Sequence, residues 1–306
     1  MTGNSHDDRP DLGRVGVWTF AFDARPAGEA RDAAAEIEEL GYGALWFGEG
    51  FGRDSVSQSW LLLSATRRIT VAAGIANIAL RDPITMAAAE RALNEAHPGR
   101  YVLGLGGHRV SDQPIQMDGY AIPSRGRAVT TMGAYLDAMD AVPLASPAPE
   151  RPPRRMLAAL GPKMLDLAAG RTLGAHTYFV TVEHTARARE AMGPDALLAV
   201  EQAVVLHPDA ARARELAGEH VSFYRTGAAH QIASLRRLGF DEDEIEHGSD
   251  RLVDAIVAHG GVEAIERRVR AHFDAGADHV CLQVLTDRPG ELPLAEWREL
   301  AALTSL

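Results

Sequence analysis

Short apolar runs alternate with amphipathic segments along most of this chain. Between Ala30 and Leu40 the apolar residues recur three or four positions apart, and Gly41 ends the pattern, which is typical of a helix packed on one face. The apolar runs are rich in β-branched and small residues. They predict eight strands, at 14–20, 44–50, 69–78, 101–106, 155–160, 175–180, 196–207 and 278–285.

Eight strands that alternate with helices predict an α/β fold, the (β/α)8 TIM barrel, as a single domain over 1–306. We expect a polar N-terminal tail at 1–13 and insertions after strands four and seven. The first insertion is a loop at 107–122. The second, at 209–260, belongs to a mostly helical region that extends to 275. An open doubly wound sheet is the alternative, but the first strand-to-helix turn, FAFDARPAGEA, lacks the glycine pattern of a dinucleotide-binding turn.

Composition excludes several classes of partner and site. The chain has 31 basic and 42 acidic residues, and its net charge of −11 argues against nucleic acid or an anionic membrane as a partner. A single cysteine, Cys281, excludes an internal disulfide and a zinc site built from cysteines. Because the N-terminus is polar and no apolar run approaches the length of a membrane span, we expect a cytoplasmic protein.

The loops that follow the strands carry the chemistry in barrels of this type. Glu49 follows the second strand, where a carboxylate is either a general acid or base or an ion-paired residue of the rim. Gly74, near the end of the third strand, indicates a bulge beside a ligand or a kink required by barrel curvature. Asn77 is placed to bind a ligand or to cap a turn.

The fourth strand ends in LGLGGHRV. Gly106 and Gly107 leave room for a planar ligand, and His108 follows them directly. A histidine at this place is a proton donor, a cofactor contact or a substrate clamp, or else a solvated side chain.

The fifth strand leads through Leu160 and Gly161 into a helix whose first free amides are expected at Lys163 and Met164. A helix N-terminus beside a cation binds anions such as phosphate. Lys163 is the single lysine among 31 basic residues. Its position either indicates a phosphate site or is a matter of chance.

Motifs of other enzyme classes are absent from the sequence. The histidines show no HExxH or HxH spacing, so we expect no metal site. There is also no GxSxG and no P-loop, which leaves hydrolase and NTPase functions without their residues.

An ordered set of segments between 14 and 285 resembles the luciferase-like monooxygenase superfamily, and within it the branch that uses coenzyme F420. The segments are GVWTF, ALWFGEGFGRD, ITVAAGIANI with RDP, RYVLGLGGH, YLDAMDA, AALGPKMLDLAA, RRLGF with GSDRLVDAIVAHG, and AGADHVCLQV. The resemblance implies a (β/α)8 barrel that binds the tricyclic cofactor at its C-terminal mouth.

The resemblance also implies site residues. It places a cis peptide at Gly74–Ile75, behind the cofactor ring, and the cofactor phosphate at the start of the helix after strand five. Together with the residues selected at the strand ends, the expected cofactor-binding residues are Gly74, Ile75, Asn77, Gly106, Gly107, His108, Leu160, Gly161, Lys163 and Met164.

The sequence departs from the best-known dehydrogenases of this branch at two positions. Those enzymes have an Asp-His pair after strand two and a glutamate after strand four, where this chain has Glu49-Gly50 and Gly107-His108. We therefore expect His108 to be the proton donor or a cofactor contact, with Glu49 as the second catalytic candidate. The candidates for an apolar substrate pocket, with barrel core as the alternative, are Trp18, Phe20 and Phe51.

The sequence thus favours an enzyme that transfers a hydride between coenzyme F420 and a small organic substrate. One alternative is a two-component monooxygenase that uses reduced FMN and oxygen, and another is a cofactor-binding barrel without activity. The resemblance implies a homodimer, which the residues themselves do not show.

Overall fold

The computed structural model describes residues 9–50, 52–107, 115–117, 120–122, 128–288 and 290–306. Its strands match the eight apolar runs of the sequence and include three shorter ones. They are β1 (Val15–Trp18), β2 (Ala44–Gly48), β3 (Thr70–Asn77), β4 (Tyr101–Gly106), β5 (Ile115–Met117), β6 (Tyr120–Ile122), β7 (Arg155–Ala158), β8 (Gly174–Thr177), β9 (Leu197–Leu206), β10 (Ala258–Gly260) and β11 (His279–Val284).

Eight of these strands close into a parallel barrel. Their order around the barrel is β9, β11, β1, β2, β3, β4, β7 and β8, and β8 pairs again with β9. The predicted (β/α)8 barrel is therefore confirmed. Because all eight strands run in the same direction, their carboxyl ends meet at one mouth of the barrel.

Helices follow the strands and cover the outside of the barrel. They are α1 (Ala27–Glu39), α2 (Ser55–Ala65), α3 (Pro83–Ala96), α4 (Ala128–Ala141), α5 (Pro162–Arg171), α6 (Val182–Met192), α7 (Ala210–Gly227), α8 (Ala229–Leu238), α9 (Glu242–His247), α10 (Asp250–Ile256), α11 (Val262–Asp274) and α12 (Leu294–Leu300). None of the helices in the described ranges is long and apolar enough to span a membrane.

Local sequence fixes where several helices begin. The side chains of Asp54, Asp82 and Thr181 each accept a hydrogen bond from a backbone N–H three residues further on, at the starts of α2, α3 and α6. Pro83 occupies the first turn of α3, where its missing N–H costs no hydrogen bond.

Alternation along the strands separates two apolar layers. On β2, Trp46 points into a cluster inside the barrel, whereas Leu45 and Phe47 pack against the surrounding helices. The helices between β9 and β10 have a separate core, in which Leu216 and Leu252 are fully or almost fully buried. This helical region therefore packs as a unit beside the barrel mouth.

The structure differs from the sequence prediction in two connecting regions. Within the predicted loop at 107–122, β5 and β6 form an antiparallel pair. Within the region predicted to be mostly helical, β10 pairs with residues Val204–Leu206 of β9. The sequence of β10, Ala-His-Gly, has no strand pattern of its own, so this strand depends on pairing with a neighbour that is distant in sequence.

Candidate functional site

A cavity of about 620 Å³ lies at the carboxyl ends of the barrel strands. Residues from β1, β3, β4, β7 and β8 line it, together with residues from the helices α4, α5, α7 and α8. It brings together eleven residues that the sequence singles out: Trp18, Phe20, Glu49, Gly74, Ile75, Gly106, Gly107, Leu160, Gly161, Lys163 and Met164. His108 and Phe51 lie outside the described residues, so their assigned roles stay predictions.

A β-bulge in β3 forms one part of the cavity wall. Ala73 pairs with Leu103 and Ala76 pairs with Leu105, so Gly74 and Ile75 together face one residue of β4. The cis peptide predicted at Gly74–Ile75 is wrong, because no cis bond occurs in the described ranges. The extra residue is accommodated by the shift in register, with a trans peptide.

Three glycines keep the cavity wall free of side chains. A Cβ at Gly74 would lie 3.0 Å from Cδ2 of His176, and a Cβ at Gly106 would lie 2.7 Å from Cγ1 of Ile75. Gly107 has a φ of +79°, and a Cβ there would lie 2.4 Å from Cγ of Asn77. Backbone therefore forms this wall directly, and a flat ligand can approach it closely.

Glu49 is fixed by four donors and is not free for proton transfer. Its carboxylate accepts two hydrogen bonds from Arg81, one at 2.7 Å, and one each from the backbone N–H groups of Asn77 (2.7 Å) and Ser55 (3.0 Å). Burial raises the pKa of Glu49, but these donors outweigh that effect, and the pKa is lowered overall. The ion-paired alternative therefore fits Glu49 better than the acid–base role, because the charged form is the stable one.

Asn77 lies behind the cavity rather than on its wall. Its side-chain oxygen accepts a hydrogen bond from the backbone N–H of Ala79 at 3.0 Å, so the residue caps the turn after β3. This is the second of the two roles that the sequence left open. Asn77 affects the cavity indirectly, because its amide occupies the space that a Cβ at Gly107 would need.

The start of α5 forms the positively charged end of the cavity. Gly161 is the N-cap without a side-chain hydrogen bond, and Lys163 lies one position after the proline of the first turn. The N–H of Met164 donates to the oxygen of Gly161 at 3.0 Å. The prediction that this N–H is free is therefore wrong. Arg237 of α8 also lines the cavity, and its guanidinium lies 3.5 Å from the oxygen of Leu160. Two cations and a helix N-terminus therefore meet here.

Aromatic side chains form the cavity wall at the end of β1. The ring of Trp18 lies 4.5 Å from that of Phe20 and 4.8 Å from that of Tyr178, and Tyr178 in turn contacts Tyr224. Trp18 is almost fully buried and also lines the cavity, so it belongs both to the barrel core and to the cavity wall. This wall is apolar apart from the two phenol groups and the indole N–H.

Sequence reasoning missed Tyr178, Tyr224, Arg237 and His176 as cavity residues. Tyr178 falls within the predicted sixth strand, whereas the structural strand ends one residue earlier, at Thr177. Tyr224 lies on α7, within the region predicted to be mostly helical, where the rule that selects strand ends does not apply. Which face of a helix meets the barrel mouth does not follow from the local pattern alone.

His176 is a neutral imidazole inside the barrel. Its ring stacks on Trp46 with centroids 4.6 Å apart, and a Cβ at Gly74 would contact it. Burial lowers the pKa of His176 to about 3, against a smaller opposing effect of the Ala199 backbone. Neither ring nitrogen makes a hydrogen bond to another described residue. His176 therefore lies at the cavity as an uncharged ring whose two nitrogens are shielded from solvent.

Two other histidines, His279 and His272, are buried in the core. His279 accepts a hydrogen bond from the indole of Trp46 at 2.9 Å and donates to the oxygen of Gly13, also at 2.9 Å. His272 bonds to Thr185 and Gln202. In the part of the chain that the structure describes, no group of three or more His, Cys, Asp or Glu side chains is placed to hold a metal ion.

Comparison with known proteins gives a consistent family match. A family model described as luciferase-like monooxygenase matches residues 12–279. A protein of Mycobacterium tuberculosis named "putative coenzyme F420-dependent oxidoreductase" is 24% identical, over 95% of this chain and 98% of that protein. These matches confirm the resemblance seen in the sequence.

Solved structures share the fold at low identity. Coenzyme F420-dependent tetrahydromethanopterin reductase from Methanopyrus kandleri has a TM-score of 0.69 at 15% identity, over 95% of this chain and 97% of that chain. The oxygenating constituent of 3,6-diketocamphane monooxygenase from Pseudomonas putida, in complex with FMN, has the same TM-score, identity and coverage. At this identity the likeness shows the fold alone.

Proposed function

Since this chain belongs to the luciferase-like monooxygenase family, we propose that it is an oxidoreductase that transfers a hydride between coenzyme F420 and a small organic substrate. One observation carries the proposal. A single cavity at the barrel mouth combines a glycine wall, an aromatic wall and a positively charged end. The name of the M. tuberculosis relative supports F420 as the cofactor.

The glycine wall fits the flat ring of such a cofactor. The backbone at Gly74, Gly106 and Gly107 lies where any Cβ would meet a neighbouring atom within about 3 Å. A side chain at these positions would collide with His176, Ile75 or Asn77, so glycine allows backbone to form this part of the cavity wall, on which a planar heterocycle packs.

The positively charged end fits the phosphodiester and the acidic tail of the cofactor. Lys163 and Arg237 would hold the negative groups together with the N-terminus of α5, whose dipole favours an anion. In a chain with a net charge of −11, such a local concentration of positive charge is needed to bind an acidic ligand.

Reduced F420, when bound, supplies a hydride as a two-electron donor. The residues of the chain orient the ring and exclude water from the reacting atoms. Trp18 and Phe20 serve the second purpose, because their rings cover the cavity wall with apolar surface.

A binding titration tests the cofactor assignment. Protein stripped of ligand is titrated with F420 and, separately, with FMN at low salt, and binding is followed by fluorescence. We expect F420 to bind at micromolar concentration or more tightly. We expect Lys163→Ala to weaken F420 binding about ten- to a hundredfold, because one charge-assisted contact is lost.

Arg171→Ala is the matched control. Arg171 lies at the other end of α5, where it pairs with Asp137, so the variant removes a positive charge from the same helix without changing the cavity. Preference for FMN would favour an oxygen-dependent monooxygenase, which oxygen consumption with reduced FMN would then test. Binding of neither cofactor, or equal losses in both variants, would contradict the proposal.

A further inference from the structure

Two tyrosine hydroxyls and one amide form a hydrogen-bonded chain beside the cavity. The hydroxyl oxygens of Tyr178 and Tyr224 lie 2.7 Å apart, and the Tyr178 hydroxyl donates to Oε1 of Gln283 at 2.8 Å. Both tyrosines line the cavity, whereas Gln283 lies behind them and is 9% exposed. Tyr224 is therefore the end of this hydrogen-bonded series that lies farthest from Gln283, and it lines the cavity.

The backbone next to Tyr178 is in a conformation that only tertiary contacts sustain. Phe179 has a φ of 58°, in the left-handed region that residues other than glycine rarely adopt. Its N–H donates to Oε2 of Glu201 at 2.9 Å, and its ring lies 4.7 Å from the ring of Tyr224. Strained backbone of this kind is concentrated at functional sites. Here it fixes the direction of Tyr178.

Both phenols stay protonated at neutral pH. Burial raises the pKa of Tyr224 to about 12, opposed in part by its hydrogen bond with Tyr178. Burial also raises the pKa of Tyr178 well above its usual value, and the neighbouring Tyr224 and Glu201 raise it further. Each hydroxyl can therefore donate one hydrogen bond and accept others.

The direction of the hydrogen bonds between Tyr224, Tyr178 and Gln283 is reversible. As found, Tyr178 donates to Gln283, so Tyr224 must donate to Tyr178, and lone pairs of the Tyr224 oxygen remain free to accept a hydrogen bond. If the amide of Gln283 turns its NH2 group toward Tyr178, both hydroxyls reverse, and the Tyr224 proton becomes available to a ligand. Among the described residues, no further hydrogen bond of the Gln283 side chain fixes the amide in one orientation.

We propose that the Tyr224 hydroxyl, held by Tyr178 and Gln283, binds the oxygen of a substrate that is a ketone or aldehyde in the reducing direction and the matching alcohol in the oxidising direction. This inference rests on the proposed hydride transfer and names its substrate class. The apolar surface of Trp18 and Phe20 beside the hydroxyl pair suits the carbon groups of such a molecule.

The reducing step adds a hydride to the carbonyl carbon and a proton to the carbonyl oxygen. The carbonyl carbon receives a hydride, with its two electrons, from the reduced deazaflavin, and a C–H bond forms. The π electrons of the C=O bond move to the oxygen, which takes the proton from Tyr224 as that O–H bond breaks. Tyr178 stabilises the phenolate by a hydrogen bond. Tyr224 recovers a proton through water when the alcohol leaves, and this proton balances the one that the cofactor gives up after losing its hydride.

The first test uses 4-(dimethylamino)cinnamaldehyde without any cofactor. Its absorption moves to longer wavelength when a hydrogen bond polarises its carbonyl group. We expect this shift with the wild-type protein, its loss in Tyr224→Phe and a smaller shift in Tyr178→Phe. Tyr42→Phe is the matched control, because the Tyr42 hydroxyl bonds to the backbone oxygen of Trp297, away from the cavity. An equal shift in Tyr224→Phe, or none in the wild type, would overturn the inference.

A second test measures single-turnover oxidation of reduced F420 with a panel of ketones and aldehydes. We expect Tyr224→Phe to slow it about a hundredfold or more, with F420 binding unchanged. Equal rates in wild type and Tyr224→Phe would overturn the inference. Loss of F420 binding by the wild type, with the probe shift retained, would reject the proposed function but keep the hydroxyl pair as an oxygen-binding site. F420 binding by the wild type without a probe shift would keep the proposed function and reject the hydroxyl pair as an oxygen-binding site.

Discussion

Glu201 is a buried carboxyl group whose replacement by glutamine has a calculable effect on stability. It lies on β9, is 1% exposed, and has one oxygen bonded to the N–H of Phe179 and the other without a partner among the described residues. Burial raises the pKa of Glu201 from 4.5 to about 8, despite the Phe179 hydrogen bond, which lowers it. Glu201→Gln keeps an acceptor for that N–H and removes the titration.

The pH dependence follows from the direction of this shift. Between pH 4.5 and 8 the folded protein keeps the Glu201 proton, whereas the unfolded chain releases it. The contribution of Glu201 to the free energy of unfolding is therefore largest at low pH and falls as the pH rises, by up to about 1.4 kcal/mol per pH unit. From pH 5 to pH 8 the wild type should lose about 3 to 4 kcal/mol relative to Glu201→Gln.

Urea unfolding at pH 5, 6, 7 and 8, followed by tryptophan fluorescence, measures this difference. Trp18 and Trp46 lie inside the barrel and report its unfolding. Glu244→Gln is a suitable control, because hydrogen bonds from the Arg251 side chain and from the backbone N–H of Asp241 lower the pKa of Glu244 to about 2, so this group is ionised throughout the range. A wild-type to Glu201→Gln difference that does not change with pH would refute the reasoning.

Two further substitutions test the cavity wall and the ion pair behind it. Gly106→Val places a side chain against Ile75 and should weaken F420 binding at least about tenfold in the fluorescence titration, whereas Gly170→Ala, at a helical glycine with open space, should not. Arg81→Met leaves the Glu49 carboxylate buried without its ion pair and should lower the free energy of unfolding by about 3 to 5 kcal/mol in urea. The double variant Arg81→Met/Glu49→Gln should recover part of this loss, and no recovery would contradict the pairing.

Strand and helix order could be predicted because it depends on local patterns. The predicted fourth strand, at 101–106, agrees with β4 at both ends, and Asp82 with Pro83 marks the start of α3 as expected. The ends of the strands were predicted less accurately than their order. The predicted sixth strand extends to 180, but β8 ends at Thr177, because the backbone turns into the left-handed conformation at Phe179.

Charge pairing could not be predicted from the position of a residue in the chain. Glu49 follows a strand, as many catalytic carboxylates do, yet its partner Arg81 comes from the loop after the next strand. The pair exists because parallel barrel strands bring these two loops together. An isolated carboxylate and a paired one have opposite pKa shifts, so the chemical role depended on this contact.

By itself, the sequence determined the barrel, the glycine wall and the positively charged start of α5. These features depend on hydrophobic period, on the lack of a side chain, and on the capping of one helix, all of which act over a few residues. Only the tertiary structure decided which side chains meet in the cavity. Tyr224 and Arg237 reach it because two helices of the insertion pack beside the barrel mouth. Such contacts join residues distant in sequence, and their geometry is fixed by packing of the whole domain.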